Sequence, residues 1–112
     1  MKLNVMIAAA LIGLALSAAA DNRLIQKAYE VALSDLRLPQ VEDGTIMFKE
    51  CEACEYLQIR VGAGTTYRLN GQAIPLAEFR SALLNVADRE GQLVTVLRHL
   101  ELDVVTNVAV NL

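Results

Sequence analysis

The chain has 112 residues, 54 % of them hydrophobic, with ten basic and thirteen acidic side chains and a formal net charge of −3. A chain this short holds one domain. An acidic chain without a basic run is a poor ligand for nucleic acid or for an anionic membrane surface, both of which need clustered Lys and Arg.

Residues 1–20 read as a cleavable export signal. Met1 to Asn4 carries one positive charge, Val5 to Leu16 is an unbroken run of apolar residues and glycine, and Ala18 and Ala20 take the A-x-A positions before Asp21. The run is shorter than the roughly 20 apolar residues of a membrane span, and no basic stop-transfer cluster follows it. Loss of Lys2 with the signal leaves nine basic and thirteen acidic residues, a net charge of −4. Residues 21–112 form the mature domain, small enough that its stability is marginal. With no membrane segment after cleavage, the expected location is the periplasm or the medium.

From Asp21 to Leu38 the spacing predicts an amphipathic helix. Ile25, Tyr29, Ala32 and Leu36 recur at three and four, with Ala28 and Leu33 widening the stripe. Asp21 or Asn22 caps the start and Pro39 stops the end. The period then changes to two. Folding the chain at Glu52-Ala53 sets Cys51 against Cys54, Glu50 against Glu55, Lys49 against Tyr56, Phe48 against Leu57 and Ile46 against Ile59. This register collects Ile46, Phe48, Leu57 and Ile59 on one face, and a slip of one residue would scatter them. The two cysteines therefore bracket the tip of a β-hairpin.

Val61-Gly62-Ala63-Gly64 predicts a turn; it lacks the rest of a dinucleotide-binding fingerprint. Thr65 to Leu69 and Gln72 to Ile74 predict a second hairpin about the Asn70-Gly71 turn signal. Pro75 opens a helix whose buried stripe is Leu76, Phe79, Ala82 or Leu83, and Val86, with Gly91 ending the segment after Arg89. The last stretch predicts a hairpin in which Val94 faces Val110, Val96 faces Val108 and Leu100 faces Val104. The predicted fold is α+β: an antiparallel sheet of hairpins, an N-terminal helix and one internal helix.

The stretches "CEAC", "YRLNGQAIPLAEF", "LVTVL" and "VVTNVAV" resemble a loose group of small exported bacterial proteins of undefined activity. In that group a CxxC tip joins two strands, a turn precedes a helix opening Pro-Leu-x-Glu-Phe, and a Val-Thr-rich hairpin closes the chain. The resemblance spans residues 45–110. It implies the hairpin architecture and no reaction.

Four uses of the cysteine pair are weighed. A haem site needs CxxCH, and Glu55 stands where the histidine belongs. A thiol–disulfide redox centre at Cys51 and Cys54 needs a stabilised thiolate, yet Glu50, Glu52 and Glu55 crowd the sulfurs with negative charge, which disfavours it. A metal site at the acidic tip would add Glu50 and Glu55 to the two sulfurs, with His99 as the only imidazole. A structural disulfide suits an oxidising compartment and pins the hairpin register. The acidic tip with Glu52, together with free sheet edges, would then contact another protein. No catalytic constellation or cofactor motif is read, and the oligomeric state is not encoded in these patterns.

Overall fold

The structure, a computed structural model, describes residues 25–112. The export signal and the 21–24 start of the expected first helix lie outside the described residues. Eight strands form one mixed sheet. They are β1 (Gln26–Ala32), β2 (Leu36–Arg37), β3 (Thr45–Phe48), β4 (Leu57–Arg60), β5 (Thr66–Leu69), β6 (Gln72–Ile74), β7 (Leu93–His99) and β8 (Val104–Val110). One helix, α1 (Leu76–Leu84), follows β6. The predicted α+β fold is thus corrected. Among the described residues the protein is mostly β, with one helix rather than two, and the sheet is not purely antiparallel.

The first element shows why. Tyr29, Val31 and Leu33 are buried while Ala28 and Glu30 are exposed, the period of a strand. A three-residue 3₁₀ turn, Leu33–Asp35, then interrupts the extended chain and delivers Leu36 to the same core. Two steps of two followed by one of three mimic part of a helical stripe. Pairing decides between the periods, since β1 lies antiparallel along the whole of β7, from Gln26↔His99 to Ala32↔Leu93.

The strand order is β1-β7-β8-β4-β3-β2. Its two ends, β1 and β2, are consecutive in the chain and separated only by the 3₁₀ turn. One segment therefore occupies both ends of the ladder, and the sheet curls back on itself as a barrel does. Tyr29 of β1 and Phe48 of β3 touch across this closure, with ring centroids 4.9 Å apart and planes tilted by 60°. Inside lies one apolar cluster including Ile46, Phe48, Val94, Val96, Val105 and Val108, all at 0 % exposure.

The hairpin registers follow the hydrophobic pattern. β3 and β4 pair Ile46↔Ile59 and Phe48↔Leu57. β5 and β6 pair Leu69↔Gln72 about Asn70 and Gly71, both at positive φ (53° and 84°), as a two-residue hairpin turn requires. β7 and β8 pair Val94↔Val110 and Val96↔Val108 as expected. A register shift between Leu97 and Arg98 then places His99, not Leu100, against Val104. Such a bulge inserts a residue that side-chain alternation alone does not announce.

β8 is the sheet's pivot. One edge takes β7; the other takes β4 at Arg60↔Val104 and β5 from Thr66↔Asn107 to Leu69↔Val110, both parallel. The glycine stretch at 62–64 is the break between these two contacts. Thr65 repairs it, its hydroxyl donating to the Val105 carbonyl (2.6 Å) and accepting from the Gly62 N–H (3.0 Å).

α1 buries Leu76, Phe79 and Leu83. Phe79 meets Tyr67 of β5 at 5.4 Å between ring centroids. Pro75, expected as the first helical residue, stands instead at the N-cap one position before Leu76, and the helix stops at Leu84 rather than running towards Gly91. Arg89 nevertheless serves the C-terminus from outside, its Nη1 donating to the Leu83 carbonyl at 2.8 Å.

The clasped end and the helix-side groove

Strand directions put three segments at one end of the sheet. β4 leaves the CxxC turn and β8 leaves the Leu100–Asp103 turn in parallel, and β1 starts opposite His99. An ion pair ties these together, Lys27 Nζ of β1 lying 3.3 Å from Glu50 Oε1 beside the cysteines.

Cys51 and Cys54 form a disulfide with Cα atoms 5.0 Å apart. The four residues close a turn in which the Cys54 N–H donates to the Cys51 carbonyl at 3.1 Å. The thiols are consumed, and no helix begins at either sulfur, so the helix-terminus arrangement that activates a CxxC thiolate is not built here. A disulfide fits a non-reducing compartment. No helix among the described residues is long and apolar enough to cross a membrane.

The ladder ends at Phe48↔Leu57, so Glu50 and Glu55 do not face each other as a paired row. Glu50 turns to Lys27, while Lys49 lies 3.8 Å from Asp35 and donates to the Glu52 carbonyl at 3.3 Å. Tyr56 lies between two cations, with Arg37 at 5.1 Å and Lys49 at 5.4 Å from its ring centroid. The acidic tip is therefore partly neutralised by Lys27 of β1, a contact that depends on the strand order, while Lys49 pairs with Asp35. Exposed ion pairs of this kind contribute little stability each.

His99 lies at this same end. Its Nδ1 accepts the Leu102 N–H at 3.1 Å, which caps the β7–β8 turn. Across that turn Arg98 binds Asp103 (Nε–Oδ1 2.9 Å) and donates to the Tyr29 hydroxyl at 3.2 Å. Among the described residues, no three His, Cys, Asp or Glu side chains gather as a metal site. The candidate set of Cys51, Cys54, Glu50, Glu55 and His99 thus shares one end of the sheet without converging on one point.

The same end exposes apolar side chains. Leu102 is 65 % exposed, Ile25 45 % and Leu100 40 %, and the Leu100 N–H bonds the Ile25 carbonyl at 2.8 Å. Leu102 also lines an apolar groove of about 270 Å³ with Gly62, Gly64, Val104 and Thr106.

Replacing both cysteines with alanine should lower unfolding stability by about 2 kcal/mol, the chain-entropy value for so short a loop. Denaturant titration checks this, with the oxidised protein as reference. Because β3 and β4 keep their own apolar register, the variant should remain folded in buffer.

A second region was not flagged by sequence. Tyr67 is 5 % exposed, and its hydroxyl is buried without a hydrogen-bond partner. Burial, with a smaller contribution from the charge of Glu42, pushes its pKa from about 10 up to about 12. The neutral form is thus favoured by folding. The associated stability is intact below pH 10 and is lost as the pH rises through about 12. Chemical denaturation across that window should show stability falling in the native protein and a flatter limb in Tyr67→Phe. The signal available in sequence was an aromatic with a polar handle on the inward side of a strand, whose hydroxyl must then be placed somewhere.

Comparison with family models, curated proteins and solved structures returns no match to this chain.

Proposed function

We propose that this chain is an exported, non-enzymatic domain, periplasmic or secreted, that presents its disulfide-clasped end to a partner protein. The observation that carries the reading is the gathering of the Cys51–Cys54 turn and the exposed Ile25, Leu100 and Leu102 at one end of the sheet. A clasp there restrains the contact surface before binding, which lowers the ordering cost of association. An apolar centre with a charged rim is how protein contact surfaces are commonly composed. Here Leu100 and Leu102 supply the centre, and Lys27, Glu50, Glu52 and Glu55 the rim. The signal-like residues 1–20 favour export.

Mass spectrometry of the non-reduced protein recovered from outside the cytoplasm tests the first half. The expected product begins at Asp21 and is lighter than the dithiol by two hydrogens. A full-length, reduced chain confined to the cytoplasm defeats the reading. For the second half, a photo-crosslinker at Glu101 should trap a discrete partner, and Leu102→Asp should abolish the product without altering unfolding. An undiminished product in Leu102→Asp removes the clasped end from consideration.

A further inference from the structure

A groove runs beside α1, between the helix and the segment that follows β2. It has two pockets, of about 140 and 210 Å³, which meet at Arg80. Leu38, Leu83 and Leu84 wall the first, and Val41 and Leu76 the second. Leu84 is 77 % exposed and Val41 63 %, so apolar surface lies open on either side of the arginine. Arg80, Leu83 and Leu84 share one helical face, because they stand three and four residues apart. From that face the Arg80 side chain crosses the groove, its Nη1 donating to the Gln40 carbonyl on the far wall at 3.3 Å. The guanidinium is thereby held where the two pockets join. Arg89 borders the first pocket, and its Nη1 donates to the Leu83 carbonyl at 2.8 Å. Both arginines are half-buried, and neither has a carboxylate within ion-pair distance among the described residues. The chain has thirteen acidic side chains, so this is not for want of anions.

We propose that this groove docks a short segment of a partner protein in which one acidic side chain lies between apolar ones. The carboxylate pairs with the Arg80 guanidinium, and the flanking apolar side chains enter the two pockets. A guanidinium carries five N–H donors, and one backbone carbonyl leaves most of them for a planar acceptor such as a carboxylate. The contact with Gln40 fixes the head before the partner arrives, which lowers the ordering cost of the ion pair. Each pocket has room for one aliphatic side chain, since a cavity of ~150 Å³ holds a molecule the size of benzene. Glu42 lines the second pocket beyond Val41 and repels a second acid there, so that end of the segment is neutral or basic. The acidic chain as a whole disfavours a polyanion such as nucleic acid in the same place. The groove shares no residue with the clasped end, and the inference does not rest on partner binding there.

The test is an NMR titration of the intact mature protein with the capped peptide acetyl-Leu-Asp-Leu-amide, with acetyl-Leu-Asn-Leu-amide as the uncharged control. Saturable shifts of the Leu38, Gln40, Arg80 and Leu84 amides are expected in the millimolar range for so small a ligand. The Asn peptide should bind about tenfold more weakly, the scale of a lost charge-assisted hydrogen bond. Arg80→Gln should bring the Asp peptide down to the level of the Asn peptide and leave the latter unchanged, whereas Leu84→Asn should weaken both alike. Leu84 is exposed and Arg80 makes no ion pair among the described residues, so both variants should keep the spectrum of a folded protein. Sodium hexanoate supplies the same chemistry as a free small molecule: binding weaker than that of the Asp peptide supports a protein segment, and binding as tight overturns that assignment. Shifts of the same amides on raising the protein concentration alone give the groove to a second copy and overturn the proposal. So do the lack of a saturable shift, equal affinity for the two peptides, or an equal loss for both in Arg80→Gln.

Discussion

Val31→Asp should abolish cooperative folding, while Ala28→Asp should leave it intact. Val31 is 1 % exposed and pairs with Val94, which is fully buried. A carboxylate there enters the apolar interior without a cation or donor, and burying such a group costs several kcal/mol even when it protonates instead. A loss of about 5 kcal/mol consumes most of the stability available to a domain of this size. Ala28 is exposed on β1, so the same change there meets water. The pair discriminates between the two periods sharply. A helix over Asp21–Leu38 places Ala28 in the apolar stripe and leaves Val31 out of it; the strand reverses both. Circular dichroism and denaturant titration of the two variants check it. A folded Val31→Asp protein would return the segment to a helix.

The contrast between this segment and the β3–β4 hairpin shows what a sequence of this kind discloses. In the hairpin, both partners lie within fifteen residues and alternate without interruption, so the apolar face and the turn specify one register, and the structure has it. The first segment finds its partner, β7, some seventy residues later, and its own residues (Gln26, Lys27, Ala28, Glu30, Leu33) are good helix formers. Long-range pairing overrides that local preference. The 3₁₀ turn at Leu33–Asp35 adds a three-residue step that reads as helical phase. The candidate site divides in the same way. The Cys51–Cys54 bridge was legible from a four-residue interval. The stacking of Arg37 on Tyr56 and the approach of Lys27 to Glu50 each depend on strand order, which alternation does not encode. His99 was legible as the chain's one imidazole, but its role as an acceptor for the Leu102 N–H depends on the turn that follows the bulge at Leu97/Arg98.

Phe48→Ala should cost about 4 kcal/mol, twice the effect of removing the disulfide. Phe48 is fully buried, pairs with both Leu36 and Leu57, and packs on Tyr29 across the closure of the sheet. It is the last ladder residue before the cysteine turn, so it joins three things: the ends of the curled sheet, the hairpin, and the base of the clasped end. Truncation leaves a cavity that no neighbouring strand can fill without breaking a register. The disulfide, by contrast, acts chiefly on the unfolded chain. The two should therefore separate experimentally. In Phe48→Ala, amides of β1 and β3 should lose hydrogen-exchange protection while the Cys51–Cys54 bridge stays oxidised. In the double cysteine variant, protection of β1 should persist. A double-mutant cycle with Tyr29→Leu and Phe48→Leu should give a coupling of about 1 kcal/mol for the ring contact. Zero coupling, together with unchanged protection of β1 in Phe48→Ala, would mean that chain continuity alone closes the sheet. The clasped end would then be anchored by its disulfide and ion pairs rather than by the core.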